Sequence, residues 1–244
     1  MKRIKSEKVN GSKRIAIIQS AYVPWRGFFD MIANCDEYVI LDGAQFVKRH
    51  WHNRNVVKSR QGPIWLTIPV KSKSRFFQPI DTVTVATPNW ADKHWETIFS
   101  NYSRAPNFKH YSSWLHGLYR KAGHCELLSD INEFFIREIS GLLGIPTHIT
   151  RDSDYQPTGQ KSDRLIDICL KAGATHYLSG PSASSYLEED KFAHNGIDVE
   201  WMNYQGYPPY NQLWGEFVPN VSIIDLLLNV GNTKPSVWRR KDVE

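Results

Sequence analysis

The chain has 244 residues, 41% of them hydrophobic and 13% aromatic, enough to build a real core. Its formal charge of +5 is concentrated in residues 1–14, which carry six Lys or Arg against one Glu, so residues 15–244 sum to zero. Nucleic-acid binding needs the basic charge on the fold itself. A neutral fold therefore argues against nucleic-acid binding.

Targeting and redox signals are also weak. No run approaches the roughly 18 apolar residues of a membrane span, and the basic start is followed by no sustained apolar segment. The cysteines, Cys35, Cys125 and Cys169, are odd in number and far apart, which predicts free thiols in a reducing compartment. We therefore expect a cytoplasmic protein with no membrane span and a basic, disordered tail at 1–14. Residues 236–244 predict a polar C-terminal tail, and homo-oligomerisation stays open.

Residues 14–42 predict a strand, a turn, a helix and a second strand. An apolar run over 14–19 precedes the Pro-Trp-x-Gly turn at 22–27, and apolar residues then recur at helical spacing over 28–33. A second apolar run follows at 37–42. Such a βαβ unit implies parallel pairing with a right-handed crossover.

The middle of the chain predicts two insertions. Residues 42–62 are polar and predict a loop, whereas 63–70 and 80–85 predict a strand pair at the sheet edge. Apolar periodicity then predicts three consecutive helices, near 89–104, 107–122 and 129–143.

Strands and helices alternate again towards the C-terminus. Strands are predicted at 146–150, 175–179 and 197–202, with helices at 162–172, 188–195 and 222–230. The pattern predicts an α/β fold with a Rossmann-like or nucleotidyltransferase-like parallel sheet. It would form one domain over 15–235, with a helical insertion at about 89–145 and a β-ribbon insertion.

The first candidate binding segment is the turn after the first strand. A glycine at a helix start lets a ligand approach the backbone, whose free N–H groups suit a phosphate. The candidates are Gln19, Tyr22, Trp25 and Gly27. The spacing resembles the His-x-Gly-His signature of nucleotidyltransferases, but Trp25 and Phe28 stand at the histidine positions. An ordinary strand-to-helix turn is the alternative.

The second segment, 42–55, combines a carboxylate, histidines, cations and amides. Arg54 and Lys48 would bind phosphate or carboxylate, and His52 or Asp42 would move a proton. The same segment supplies further binding candidates: Gln45, Trp51, Asn53 and Asn55. A solvated loop is the alternative. His50 and His52 lack a spaced third ligand, so no metal site is predicted.

Two later segments complete the candidates. Ser179, Gly180 and Tyr186 lie where a strand runs into a Ser/Gly turn that can present donors to an anion, although a capping turn would look the same. Aromatics alternate with amides at Tyr210, Gln212 and Trp214, which suits a sugar or a base. The alternative is a loop pinned to the core by its rings. A capping-box variant at 222–225 makes Asp225 structural.

The chain resembles the WbqC-like family over about residues 15–231. The motifs are Gln-x-x-Tyr-x-Pro-Trp-x-Gly at 19–27, Gln-Phe at 45–46, Trp-x-Asn-Arg-Asn at 51–55, Trp-Leu-Thr-x-Pro-Val at 65–70, and the runs at 208–217 and 222–231. It departs at Ser20, where the family has Pro, and at Tyr207, where we expect His. Ser20 is expected to loosen the first turn.

The resemblance implies a role in O-antigen and other surface-polysaccharide synthesis, with transfer of an amino acid such as glycine to an amino sugar. We expect an amide-forming (amino)acyltransferase, or a ligase that activates a small carboxylate or amino acid with ATP and Mg²⁺, acting on an amino-sugar nucleotide. In this scheme the nucleotide lies near Gly27, Arg54 and Lys48 offset phosphate charge, and His52 or Asp42 takes the amine proton. The alternative is a non-catalytic nucleotide-sugar-binding or scaffold protein of the same pathway.

Overall fold

The structure is a computed structural model that describes residues 11–73, 75 and 77–232. Most of the basic tail and the whole C-terminal tail fall outside these residues. The described chain divides into two compact units. The sheet unit comprises 11–18, 31–40 and 147–203, and the helical unit comprises 19–30, 41–146 and 204–232. The single domain over 15–235 stays a prediction.

The strands lie close to the expected positions, with one exception discussed below. They are β1 (Arg14–Ile18), β2 (Glu37–Ile40), β3 (Arg54–Ser59), β4 (Gly62–Thr67), β5 (His148–Arg151), β6 (His176–Ser179) and β7 (Asp198–Trp201). Five of them form one parallel sheet in the order β5-β2-β1-β6-β7. Numbered within the sheet, this is the order 3-2-1-4-5 of a Rossmann-type sheet. The predicted parallel sheet is confirmed.

Burial explains why the sequence predicts the central strands correctly. Every residue of β2 is buried, as are the three middle residues of β1. Parallel strands covered on both faces read as continuous apolar runs, and Ile-Ala-Ile at 15–17 and Tyr-Val-Ile at 38–40 are such runs. The topological switch point of this sheet lies between β1 and β6, where ligands bind in such folds.

The helices also follow the predicted pattern, apart from one short helix at 152–155 that the sequence does not predict. They are α1 (Arg26–Ala33), α2 (Trp90–Tyr102), α3 (Phe108–Ala122), α4 (Leu128–Leu142), α5 (Asp152–Tyr155), α6 (Lys161–Lys171), α7 (Glu189–His194) and α8 (Ile223–Asn229). Helices α2, α3 and α4 form the expected helical insertion. Within the described chain, no helix has both the length and the apolar character needed to span a membrane.

The β-ribbon is confirmed, but its predicted strands are wrong. β4 pairs with β3, which begins inside the segment predicted as a loop, in an antiparallel register that sets Arg54 opposite Thr67 and Val56 opposite Trp65. Residues 80–85 instead contain a 3₁₀ helix, Ile80–Thr82, and make only isolated bridges. The strand β3 was missed because Asn55, Lys58 and Ser59 are polar yet almost fully buried.

Candidate functional site

The glycine of the first turn is explained by the neighbouring tryptophan. A Cβ on Gly27 would lie 2.4 Å from Cζ2 of Trp25, so the indole occupies the space beside the glycine. Trp25 in turn packs edge-to-face on Tyr204 and Tyr207, with ring centroids 5.2 and 5.6 Å away. The Trp-x-Gly pattern thus has a packing cause in the helical unit. Ligand binding at Gly27 and Trp25 stays a prediction.

Tyr22 lies in the core of the helical unit and has no exposed surface. Its hydroxyl is 2.8 Å from Nδ1 of His94 and 3.0 Å from the hydroxyl of Tyr119. Nε2 of His94 lies 3.2 Å from the carbonyl oxygen of Thr67, and burial lowers the pKa of His94 to about 4. A neutral ring that donates from Nε2 accepts at Nδ1, so Tyr22 donates to it. The Tyr22 hydroxyl is therefore already engaged in hydrogen bonds within the helical unit.

Asn55 secures the strained backbone of the same turn. Val23 has a φ of +36°, a conformation that is costly for a β-branched residue. Nδ2 of Asn55 donates to the carbonyl oxygens of Tyr22 and Val23 at 2.9 and 3.0 Å, and Ser222 Oγ donates to the latter oxygen at 2.6 Å. Oδ1 of Asn55 accepts from the Val56 amide. The Asn55 side chain therefore stabilises the backbone of the first turn.

Ser20 connects three parts of the second candidate segment. Its amide donates to Oδ1 of Asp42 at 2.9 Å, its hydroxyl accepts from Nδ2 of Asn132 at 2.8 Å, and its carbonyl lies 3.1 Å from Nδ1 of His52. Three hydrogen bonds thus tie Ser20 to its surroundings, and the expectation that it loosens the turn relative to proline stays a prediction. A proline at this position could not donate the first of these bonds.

Asp42 is held from two sides and is 2% exposed. Oδ1 accepts from Ser20, and Oδ2 accepts from the hydroxyl of Ser129, in the first turn of α4. Hydrogen bonds to both oxygens fix the position of the carboxylate. Asp42 therefore joins the first turn to helix α4.

His52 is buried and neutral. Desolvation lowers its pKa to about 4, against the smaller opposing effect of the hydrogen bond to Ser20. Because a carbonyl can only accept, Nδ1 carries the proton and Nε2 keeps its lone pair. No described residue hydrogen-bonds to Nε2, and the ring of His50 lies 4.5 Å from that of His52. The buried ring of His52 thus keeps an unprotonated nitrogen and lies next to the exposed His50.

The half-buried Arg54 and the exposed Trp65 and Trp51 form a layer that we call the Trp platform. The guanidinium of Arg54 lies 4.1 Å from the ring centroid of Trp65, and the rings of Trp65 and Trp51 are 5.3 Å apart. The two tryptophans are 48% and 42% exposed. The guanidinium of Arg54 makes no hydrogen bond or ion pair with any residue in the described ranges, and its Nε is buried without a partner. An unpaired guanidinium on an exposed indole is suited to an anionic ligand with a flat ring.

The other candidate residues of this region differ in solvent exposure and in hydrogen bonding. Asn53 is 7% exposed, and its Nδ2 donates to the Ile68 carbonyl while its Oδ1 has no partner in the described structure. Gln19 is half-buried, with no side-chain hydrogen bond to the described residues. Gln45 and Lys48 are exposed. Trp65 was missed as a site residue, although strand alternation in β4 would have placed it on the exposed face.

The loop at 204–217 is bonded closely to the helical unit. The hydroxyls of Tyr210 and Tyr102 donate to Oδ1 and Oδ2 of Asp225 at 2.8 and 2.7 Å. Asp225 has no exposed surface, and burial raises the pKa of its carboxyl. The Gln212 amide bonds to the backbone of Val218 in both directions. This bonding fits a loop pinned to the core, with Asp225 as a structural carboxylate.

The Ser/Gly candidates belong to the sheet unit. Ser179 ends β6 at the switch point and is 2% exposed, with Oγ 3.4 Å from the hydroxyl of Tyr177. Gly180 has an ordinary φ of −76°, and the five-residue 3₁₀ helix Pro181–Ser185 follows it. Tyr186 is 69% exposed. Binding at these residues stays a prediction.

No group of three or more His, Cys, Asp or Glu in the described parts of the chain could hold a metal ion. A model of the WbqC-like protein family matches residues 19–237. Over 227 residues, 93% of this chain and 98% of the relative, the sequence is 44% identical to the uncharacterized protein Rv1507c of Mycobacterium tuberculosis. No solved structure matches. The chain therefore belongs to the WbqC-like protein family.

Proposed function

We propose that this protein joins a small carboxylate or amino acid to the amine of a nucleotide-linked amino sugar, in the synthesis of O-antigen or another surface polysaccharide. Family membership supplies the context. One arrangement carries the chemistry: the unpaired guanidinium of Arg54 lies over the Trp65 ring, and the neutral His52 stands two residues before Arg54.

The Trp platform suits the nucleotide part of the acceptor. Trp51 and Trp65 expose ring surface on which a base can stack, and Arg54 supplies a fixed positive charge for the phosphates. Electrostatic coupling to Arg54 contributes to the lowered pKa of His50, which places the guanidinium close to the histidine pair. Binding of a phosphate here would therefore raise the proton affinity of both imidazoles.

His52 suits the proton transfer. In the ligase route the carboxylate attacks the α-phosphorus of ATP, and pyrophosphate leaves with the electron pair of the broken P–O bond. The neutral sugar amine then attacks the acyl carbon, forming the N–C bond, while AMP leaves with the electron pair of the acyl C–O bond. The surplus amine proton passes to Nε2 of His52. Mg²⁺ would accompany ATP, and no step is assigned to it.

A second candidate is a nucleotide-sugar-binding protein without turnover. It is favoured by the pKa of about 4 for His52, because so weak a base takes a proton poorly unless the ligand raises that pKa. The two candidates share the Trp platform and differ only in whether Nε2 of His52 is needed.

The decisive experiment measures binding and pyrophosphate release with UDP-linked amino sugars, ATP and a panel of small carboxylates. His52→Asn keeps a donor for the Ser20 carbonyl but removes Nε2, so it should bind normally and lose about 100-fold or more in rate. Arg54→Gln should weaken binding about tenfold. Arg104→Gln, at another exposed arginine, is the matched control and should change neither quantity.

Three outcomes separate the candidates. Pyrophosphate release that needs both the carboxylate and the amino sugar, and that falls in His52→Asn, supports the enzyme. Binding that depends on Arg54 without any turnover supports the binding protein. Absence of nucleotide-sugar binding in the unaltered protein would refute both candidate functions.

A further inference from the structure

The strand β3 is followed by a second cation–indole pair. Arg60, one residue beyond β3, lies with its guanidinium 4.8 Å from the ring centroid of Trp214. Arg60 is exposed and, across 11–73, 75 and 77–232, makes no hydrogen bond or ion pair. Arg54 and Arg60 are six residues apart, or about 20 Å in extended chain. The Trp214 pair is therefore separate from the Trp platform.

The backbone of Trp214 is strained, and its indole is fixed in orientation. Its backbone has a φ of +69°, which a residue with a side chain rarely adopts because the conformation is strained. Nε1 of Trp214 donates to the carbonyl of Asn101 at 2.9 Å, so the ring orientation is fixed as well. Strain retained at an aromatic side chain that carries an unpaired cation points to a binding role.

A groove lies next to this pair along the chain. Its volume is about 390 Å³, and it is lined by Pro209, Tyr210, Asn211, Gln212, Gly215 and Phe217. Gly215 follows Trp214 directly, and a Cβ there would meet nothing within 4 Å, so the backbone is open to a ligand. Asn211 is exposed and makes no hydrogen bond with the residues that the structure describes. Aromatic walls with a free amide are typical of sugar-binding grooves.

Buried side chains beneath the groove hold its lining residues in place. The buried Nζ of Lys58 donates to Oε1 of Gln212 at 3.0 Å and to the carbonyl of Glu216. Lys58 makes no ion pair within the described chain, and the guanidinium of Arg26 lies 5.3 Å from the ring centroid of Tyr210. Beneath the groove, the charge of Lys58 interacts with the buried carboxylate of Asp225, to which Tyr210 donates. The exposed cation at the rim is therefore Arg60, next to aromatic surface, and a neutral sugar would use only that surface.

We propose that the groove at 209–217, together with Arg60 and Trp214, is a second subsite that binds a pyranose carrying a negative charge. A hexuronate and a hexose phosphate share this chemistry, with the anion on Arg60 and the ring against the aromatic surface. The proposal is independent of acyl transfer, since it concerns binding at a different place.

The test uses the full-length protein labelled with 5-fluorotryptophan and followed by ¹⁹F NMR. The Trp214 resonance is assigned by its loss in Trp214→Phe, and the other indoles report that the fold is intact. Glucuronate, glucose 6-phosphate and glucose are titrated separately. We expect one or both acidic sugars to shift the Trp214 resonance and to bind at least tenfold more tightly than glucose. The sugar that binds identifies the anion as a carboxylate or a phosphate.

Variants complete the test. Arg60→Gln should weaken binding of the acidic sugar at least tenfold, whereas Arg104→Gln and Arg54→Gln should leave it unchanged. The subsite is refuted if glucose binds as well as the acidic sugars, if no sugar shifts the resonance, or if Arg60→Gln has no effect. Loss of binding in Arg54→Gln would move the ligand to the Trp platform and also refute it. None of these readouts depends on turnover, so the proposed function can fail separately.

Discussion

The buried neutral histidines make the stability of the helical unit sensitive to mild acid. The pKa of His52 is about 4 in the folded protein, against 6.5 for the ordinary side chain, and His94 shows the same shift. Between these values the unfolded chain binds more protons than the folded one, so stability falls as the pH falls. Most of the contribution is present above pH 6.5 and is lost as the pH approaches 4.

The size of the effect follows from the two pKa values. Lowering the pH from 7 to 5 should cost about 2 kcal/mol for each histidine that remains neutral in the fold. We expect urea unfolding at pH 7, 6 and 5 to show this loss. In His52→Asn the loss should be smaller by about 2 kcal/mol, because the asparagine keeps the bond to Ser20 but does not titrate.

The difference between the two unfolding series isolates His52, since all other titrating groups are common to both proteins. Parallel curves for the unaltered protein and His52→Asn between pH 7 and 5 would refute the reasoning. They would mean that the pKa of His52 is the same in the folded and the unfolded chain, so that burial does not hold its side chain neutral.

Two further predictions concern the first turn. Gly27→Ala should destabilise the protein by about 1–3 kcal/mol in urea unfolding, because its Cβ would overlap the Trp25 ring. The cost should largely disappear in a Trp25→Ala background, and an undiminished cost there would contradict the packing explanation. Ser20→Pro should cost about 1–3 kcal/mol more than Ser20→Ala, since only the proline removes the amide that Asp42 accepts. Equal unfolding free energies would show that this bond contributes nothing.

The ribbon shows where sequence reasoning failed. The sequence predicts a strand at β4 because Trp65 and Leu66 lie in a short apolar run, whereas its polar residues predict a loop where β3 lies. Asn55, Lys58 and Ser59 are polar, and their burial is possible only because partners elsewhere in the chain satisfy them. Hydropathy along the chain does not record those partners.

The first turn shows a different limit. Its position between strand and helix, and the need for a glycine, were evident from local pattern. The cause of the glycine was not, because the ring beside Gly27 belongs to Trp25, two residues earlier, and its place depends on Tyr204 and Tyr207. A glycine that a ligand needs and a glycine that a neighbouring ring needs look the same in sequence.

The sequence by itself determined the parallel sheet, the helical insertion and the family, because strands and helices leave local periodicity and the family motifs are contiguous. Only the tertiary structure decided which polar side chains remain available. Tyr22, Asn55 and Asp42 are bonded to the fold, while Arg54 and Nε2 of His52 have no hydrogen-bond partner among the described residues. The physical reason is that a hydrogen bond joins residues distant in the chain, as Ser20 and Asn132 are, and periodicity carries no information about such pairs.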